Sequence, residues 1–358
     1  MPSTNYLPIF RPRLPAAQEI LPFLLRIDKA QRYTNGGALV RELENEIGIH
    51  LGMPPSCVVL LANATIALEG AVKASKQINL EWVTPSWTFV ATPHALSNAG
   101  VSFRFGDVAN DWRLDLSKVN EPELGLLDVV PFGDKIDFSR YKNSSSNIVV
   151  DAAVSLGISQ GIGASMPKNV GLVFSLHATK LISTGEGGVF CSLDEDWVQR
   201  VRAWSNFGFN GVRSADEIGT NGKLSEYSAA VGLASLASWP TTLSKIVQLS
   251  EWARDLSRKM SLNTQPSLTE NQYAPYWIVW SESKKDIENI ARRLTKYKIE
   301  TRRWWEYGCH KMRAFSNIAK IGSLEVTERI SNHSVGLPFF PDMTKEERKI
   351  IEKALLGQ

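Results

Sequence analysis

The chain has 358 residues with 43% hydrophobic content, enough for a large core and, by length, for two domains. Its formal charge of +3 is small and evenly spread, which argues against a nucleic-acid partner. No apolar run reaches the roughly 18 residues of a membrane span, and the opening MPSTNYLPIFRPRLP does not read as a signal peptide, so no membrane partner is expected.

Residues 1–15 read as an extended arm, because four prolines forbid regular helix. Residues 16–31 predict an amphipathic helix with Ile20, Leu21, Phe23, Leu24 and Ile27 on its apolar side. A turn at 33–37, holding Asn35, precedes a second helix over 38–51. From Cys57 onward, strand and helix alternate. Strands are expected at 58–61, 101–105, 124–131, 148–150, 170–176 and 189–193, and helices at 66–75, 92–99 and 197–207. Such alternation predicts an α/β fold with a mostly parallel sheet between helices. Residues 208–224 read as loop and 226–237 as a closely packed helix. A helix over 242–260 then leads to a strand at 276–280, a helix at 284–297, an aromatic and basic segment at 302–310, and a last helix at 344–355 with Thr344 as its cap. The expected division is an arm and helix (1–31), a large domain (32–240) and a smaller C-terminal α/β domain (241–358). The cysteines Cys57, Cys191 and Cys309 and five scattered histidines show no metal or disulfide spacing. The expectation is therefore no metal and a reducing cytoplasm.

Chemistry collects in loops that follow strands. Lys180 comes just past an apolar run, ahead of Ser183-Thr184-Gly185-Glu186-Gly187-Gly188, a stretch too turn-rich for helix interior. That places it at the carboxyl end of a strand, where open α/β sheets bind ligands. It is either a solvated surface charge or a Schiff-base lysine. Asp151 follows three β-branched residues; unpaired among apolar neighbours it is costly, so it either caps a helix or meets a cation such as a pyridinium. Asn63-Ala64-Thr65 sits between strand and helix, as a plain cap or as an anion site. Trp87 and Phe89 flank Thr88 after a strand, and either aromatic stacks on a flat ring or packs in the core. Ser175 supplies a further hydroxyl. A phosphate site, an acid for a ring nitrogen, an aromatic cover and a lysine together ask for pyridoxal 5′-phosphate.

Ten segments then resemble one family in order. They are RPRLP, YTNGGALVRELE, NATIAL, PSWTFVATPHAL, DVANDWRLDL, VVDAAVSLG, FSLHATKLISTGEGG, SNFGFNG, GTNGKLSEYSAA and GLPFFPDMT, spanning about Arg11 to Met343. The chain is similar to the DegT-type pyridoxal-phosphate-dependent nucleotide-sugar aminotransferases, with the type I aminotransferase fold. The resemblance implies that Lys180 forms the imine with the cofactor and shuttles protons, and that Asp151 pairs with the pyridine nitrogen. It implies that Phe89 stacks on the ring and that Ala64, Thr65 and Ser175 hold the phosphate. Asn221 would reach the cofactor of a neighbouring subunit, so a homodimer with shared active sites is implied. Asn35, Lys223 and His310 are candidate substrate contacts; for His310 the alternative is a surface histidine. Trp304, Trp305 and Tyr307 either line a base or sugar pocket or pack.

Two departures stand out. Val154 takes the place of a Gln or His common in the family, and Lys223 that of an Arg. Family members with His in place of the lysine are dehydratases; Lys180 argues against that branch. The implied reaction moves an amino group from an amino acid, glutamate by the resemblance, to a nucleotide-linked 4-keto or 3-keto deoxysugar. The pathway implied is amino-sugar biosynthesis for a surface polysaccharide or secondary metabolite. The rivals are a cyclitol or other non-nucleotide ketone as acceptor, and a binding or regulatory protein that keeps the fold without turnover.

Overall fold

The structure is a computed structural model, and it describes residues 6–119, 124–142, 144 and 146–357. The first five residues of the expected arm lie outside that set. In chain order the elements are α1 (Ala17–Ala30), α2 (Ala38–Leu51), β1 (Val58–Leu61), α3 (Ala64–Lys73), β2 (Trp82–Pro85), α4 (Ala91–Ala99), β3 (Phe103–Gly106), β4 (Gly125–Val129), β5 (Ile148–Asp151), β6 (Val170–Ser175) and β7 (Gly188–Ser192). There follow α5 (Glu195–Trp204), α6 (Glu226–Ala237), α7 (Trp239–Lys259), β8 (Asn263–Thr264), α8 (Pro266–Glu270), β9 (Trp277–Trp280), α9 (Lys284–Lys296), α10 (Glu325–His333), β10 (Ser334–Leu337) and α11 (Lys345–Leu356).

Seven strands form one sheet in the order β1-β7-β6-β5-β4-β2-β3. β3, β2, β4, β5 and β6 run parallel, while β7 is antiparallel to both β6 and β1. Both faces are covered, which is why these strands read as continuous apolar runs. Val58 and Leu60 join one core cluster, with residues of α2, α6 and α7; Val59 and Leu61 join the other, with residues of α3, α4 and α5. The alternation is the period of two of a strand.

β8, β9 and β10 make a second, antiparallel sheet. The arm docks beside it. The Leu7 N–H donates to Lys298 O at 2.8 Å and the Glu300 N–H to Leu7 O at 2.9 Å. Farther along, the Arg11 guanidinium pairs with Glu347 at 2.7 Å and lies 4.6 Å above the Phe340 ring.

Some bounds differ from the sequence pattern. α7 begins at Trp239, three residues before the expected start, because Pro240 is tolerated in a first helical turn. α3 begins at Ala64, not residue 66, capped by Asn63. α10 and β10 are absent from the expected elements; SVGL becomes a strand through its pairing with β9.

Candidate active site

Asp151 ends β5 at the carboxyl edge of the parallel strands. Its carboxylate is buried. Oδ2 accepts from Thr92 Oγ1 at 2.7 Å and Oδ1 from the Ala153 N–H at 3.1 Å. Burial pushes the carboxyl group above its ordinary range; the bonds from Thr92 and Ala153 and the charge of Lys180 pull the other way. An ionised carboxylate has about four acceptor positions, and these two bonds fill only half of them. A cationic N–H donor would meet the remaining demand.

Lys180 sits in a loop closed by its own bonds. The Ala178 N–H donates to Gly185 O at 2.7 Å, the Thr184 N–H to Leu176 O at 2.8 Å, and the Lys180 N–H to His177 O at 2.8 Å. Ser183 anchors it from below, with its N–H on Ser235 Oγ at 3.1 Å and its hydroxyl on Leu176 O at 3.0 Å. Lys180 lies close enough to Asp151 for its charge to act on the carboxylate.

Asn63 caps α3 by accepting from the Ile66 N–H at 2.9 Å. The N–H groups of Ala64 and Thr65 open the helix and have no intrahelical partner, so they form the positive end of its dipole. A Cβ on Gly188 would stand 2.4 Å from Asn63 O, so a glycine is required for the helix to start this close to the sheet. Gly188 also pairs with Ser175, which brings that hydroxyl beside the same helix start.

The two aromatics after β2 separate cleanly. Trp87 is 1% exposed and packs edge-on against Trp305 at 5.0 Å; Phe89 is 59% exposed. Phe89 O accepts from the Thr92 N–H at 3.1 Å, which holds this uncovered ring next to the Asp151 donor.

The other candidates lie differently. Asn35 is exposed in the left-handed region, at φ 60°, and its carbonyl accepts from Arg32 at 2.8 Å. Asn221 and Lys223 sit in a loop fastened beside β1, where the Ala62 N–H donates to Gly222 O at 2.7 Å. Lys223 Nζ donates to Asn221 Oδ1 at 2.7 Å and lies 4.4 Å over the Phe207 ring; burial pushes its ammonium below the ordinary range.

His310 is buried. Ser86 Oγ accepts its backbone N–H at 3.1 Å and lies 2.7 Å from Nδ1; because the Glu328 carboxylate, 3.2 Å from Nε2, can only accept, the neutral ring carries its proton on Nε2 and Nδ1 accepts from Ser86. Both ring nitrogens are thus engaged within the chain. Val154 is half-buried three residues past Asp151.

Three contributors escaped the sequence reading. Thr92 is one; Thr88 lies outside the helix that Thr92 enters, so no helical spacing marked the pair. Gly188 is another, hidden within a glycine-rich run. The third is Glu226, whose buried carboxylate accepts from the Leu39 and Val40 N–H groups at 2.9 and 3.0 Å, clamping the first turn of α2 onto α6. It had no local signal, since its partners lie almost two hundred residues earlier.

These residues fit pyridoxal 5′-phosphate: a buried acid with open acceptor positions, a lysine beside it, a helix N-terminus with an adjoining hydroxyl, and an uncovered aromatic ring. A dTDP-4-amino-4,6-dideoxy-D-glucose transaminase of Shigella dysenteriae is 26% identical over 355 residues, which is 95% of this chain and 96% of its own. The solved structure of DesI with its TDP-sugar product has a TM-score of 0.85 at 27% identity, covering 98% of this chain and 92% of that one. PseC of Helicobacter pylori, an aminotransferase involved in pseudoaminic acid biosynthesis, shares the fold, with a TM-score of 0.80 at 19% identity over 97% of this chain and 98% of that one. A family model matches residues 16–355, and the chain belongs to the DegT/DnrJ/EryC1/StrS aminotransferase family.

Proposed function

We propose that this aminotransferase moves an amino group from glutamate to a nucleotide-linked 4-keto deoxysugar, giving an amino-sugar. The observation that carries the chemistry is the buried Asp151 carboxylate with half its acceptor positions open, within reach of the Lys180 charge. The naming of the Shigella relative for a dTDP-4-amino sugar supports the acceptor class.

When bound, pyridoxal phosphate supplies an electron sink for the charge that develops at the donor Cα. The chain's own residues do the rest. The first turn of α3, at Ala64 and Thr65, and the Ser175 hydroxyl would bind the phosphate. Asp151 would hold a proton on the ring nitrogen, which in turn completes its own hydrogen bonding. Lys180 Nζ would take the proton from Cα of the donor and deliver it one position along the reacting system. Phe89 would cover one ring face and keep water from it.

The active unit is proposed to be a homodimer. Asn221 and Lys223 stand in a loop that also exposes Phe207, Val212 and Ile218, which suits contact with a second copy. No helix among the described residues is long and apolar enough to cross a membrane, and Cys57, Cys191 and Cys309 are unpaired; we place the enzyme in the cytoplasm.

The test is a panel of dTDP-, UDP- and GDP-linked 3-keto and 4-keto deoxysugars, together with keto-inositols, offered to the pyridoxal-phosphate-loaded enzyme with glutamate. Amination of a nucleotide-linked 4-keto sugar is expected. Turnover confined to a keto-inositol, or none on any acceptor, would overturn the reading.

A further inference from the structure

A chain of hydroxyl groups runs behind Asp151. Thr92 Oγ1 donates to Asp151 Oδ2 at 2.7 Å, and Thr88 Oγ1 lies 2.7 Å from Thr92 Oγ1. Because Thr92 has spent its one proton on the carboxylate, Thr88 is the donor to Thr92. Both threonines are buried, at 1% and 0% exposure, so no water competes for these bonds. Hydroxyl chains in such surroundings polarise one another and strengthen the terminal bond.

The far end is locked by the second sheet's side of the molecule. Cys309 Sγ donates to Thr88 O at 3.2 Å, and the Cys309 N–H donates to Ser86 O at 2.9 Å. His310 grips Ser86 Oγ with both its backbone N–H and its ring. The turn that carries Thr88 is therefore fixed by residues more than 200 positions later.

We propose that Thr92, backed by Thr88, is a positioning residue that keeps Asp151 ionised and aimed at the cofactor ring nitrogen. The inference rests on the reading that Asp151 faces that nitrogen. Without the Thr92 donor, a carboxylate buried this deeply keeps one backbone bond from Ala153 and the charge of Lys180. Lys180 is the ionisable group that acts on it among the described residues. Cofactor affinity then suffers, because the ring is held best by an anion.

The test compares wild type with Thr92→Val, Thr92→Ser, Thr88→Val and Asp151→Ala. The readouts are the dissociation constant for pyridoxal phosphate, the visible absorption band of the bound cofactor, and melting of the cofactor-free proteins. Thr92→Val is isosteric and should weaken pyridoxal phosphate binding roughly tenfold or more and shift the band. Thr92→Ser should restore both, and Thr88→Val should move both in the same direction by less.

A Thr92→Val protein that melts lower without cofactor yet binds it as wild type does would reduce the threonine to a structural role and overturn the proposal. Equal damage from Thr92→Ser would overturn it too, since the methyl group and not the hydroxyl would then matter. Asp151→Ala separates the two levels. If it leaves affinity and band unchanged, the assignment of Asp151 itself fails. If it weakens binding while Thr92→Val does not, the relay alone fails.

Discussion

The loop that carries Lys180 and the aromatic turn at residues 302–310 both reach the carboxyl edge of the large sheet, and they are built in opposite ways. The first is tied mostly to itself: its backbone bonds join residues 176–178 to 184–187, with a bond outward from the Ser183 N–H to Ser235 Oγ, and Gly185, at φ 85°, is its one left-handed position. The second is tied to everything else. Arg302 exchanges backbone bonds with Gly336, Cys309 reaches Ser86, and His310 reaches Glu328. Its left-handed residues include Trp305 and Glu306, which are not glycines. Their strain is sustained by tertiary packing, since Trp305 stacks on Phe132 with ring centroids 4.5 Å apart and planes 16° from parallel. Phe132 itself sits at φ 53°. A stretch that closes on itself announces its purpose in its own residues. A stretch held open by distant partners does not.

That contrast can be broken by substitution. Lys180→Ala should abolish turnover while leaving the thermal midpoint near that of wild type, because the loop keeps its backbone bonds; single-turnover assays and calorimetry check both halves. Next in size is the pair after β2. Trp87→Ala empties a fully buried indole site and should cost about 3–5 kcal/mol in urea unfolding. Phe89→Ala removes a ring that is already exposed and should change unfolding by less than about 0.5 kcal/mol. The order reverses for cofactor retention, which Phe89→Ala should lower more. Between those two in its cost to stability is Gly185→Ala. No atom lies within 4 Å of the added Cβ, so backbone strain alone remains, and the cost should be roughly 1–2 kcal/mol. A loss much above that would mean that the Lys180 loop leans on tertiary packing after all.

The same contrast explains what the chain disclosed before folding. Asp151 and Lys180 were legible because each follows an apolar strand-length run, and a polar residue at a strand's end stands out. Asn63-Ala64-Thr65 was legible as a helix start for the same local reason. Thr92 was not singled out, since a threonine early in a helix needs no special reason. Its meaning comes from Asp151, 59 residues on. His310 was legible as a residue and not as a role: both its ring partners, Ser86 and Glu328, come from other parts of the chain. Trp87 and Phe89 were equivalent on paper, and only packing tells the core ring from the free one.

The smallest effect predicted concerns His310 and pH. Burial pushes its imidazole below the ordinary value of 6.5, and the bond to Glu328 opposes that only in part. The folded chain therefore holds the ring neutral at pH values where the unfolded chain would bind a proton. The stability this confers is fully present above about pH 6.5 and is lost as pH falls through that value toward the lowered one. Glu328 does not confuse the window. Lys311 and His310 hold its carboxylate below the ordinary 4.5, so its contribution disappears only in more acid solution. His50, also pushed down by burial, is common to both proteins compared. His310→Gln should therefore be less stable than wild type near pH 7, and the gap should narrow on acidification to about pH 5.5. Urea unfolding at the two pH values measures it. A gap that stays constant would mean that His310 is protonated in the fold, with a charged pair to Glu328 in place of the neutral clamp on Ser86.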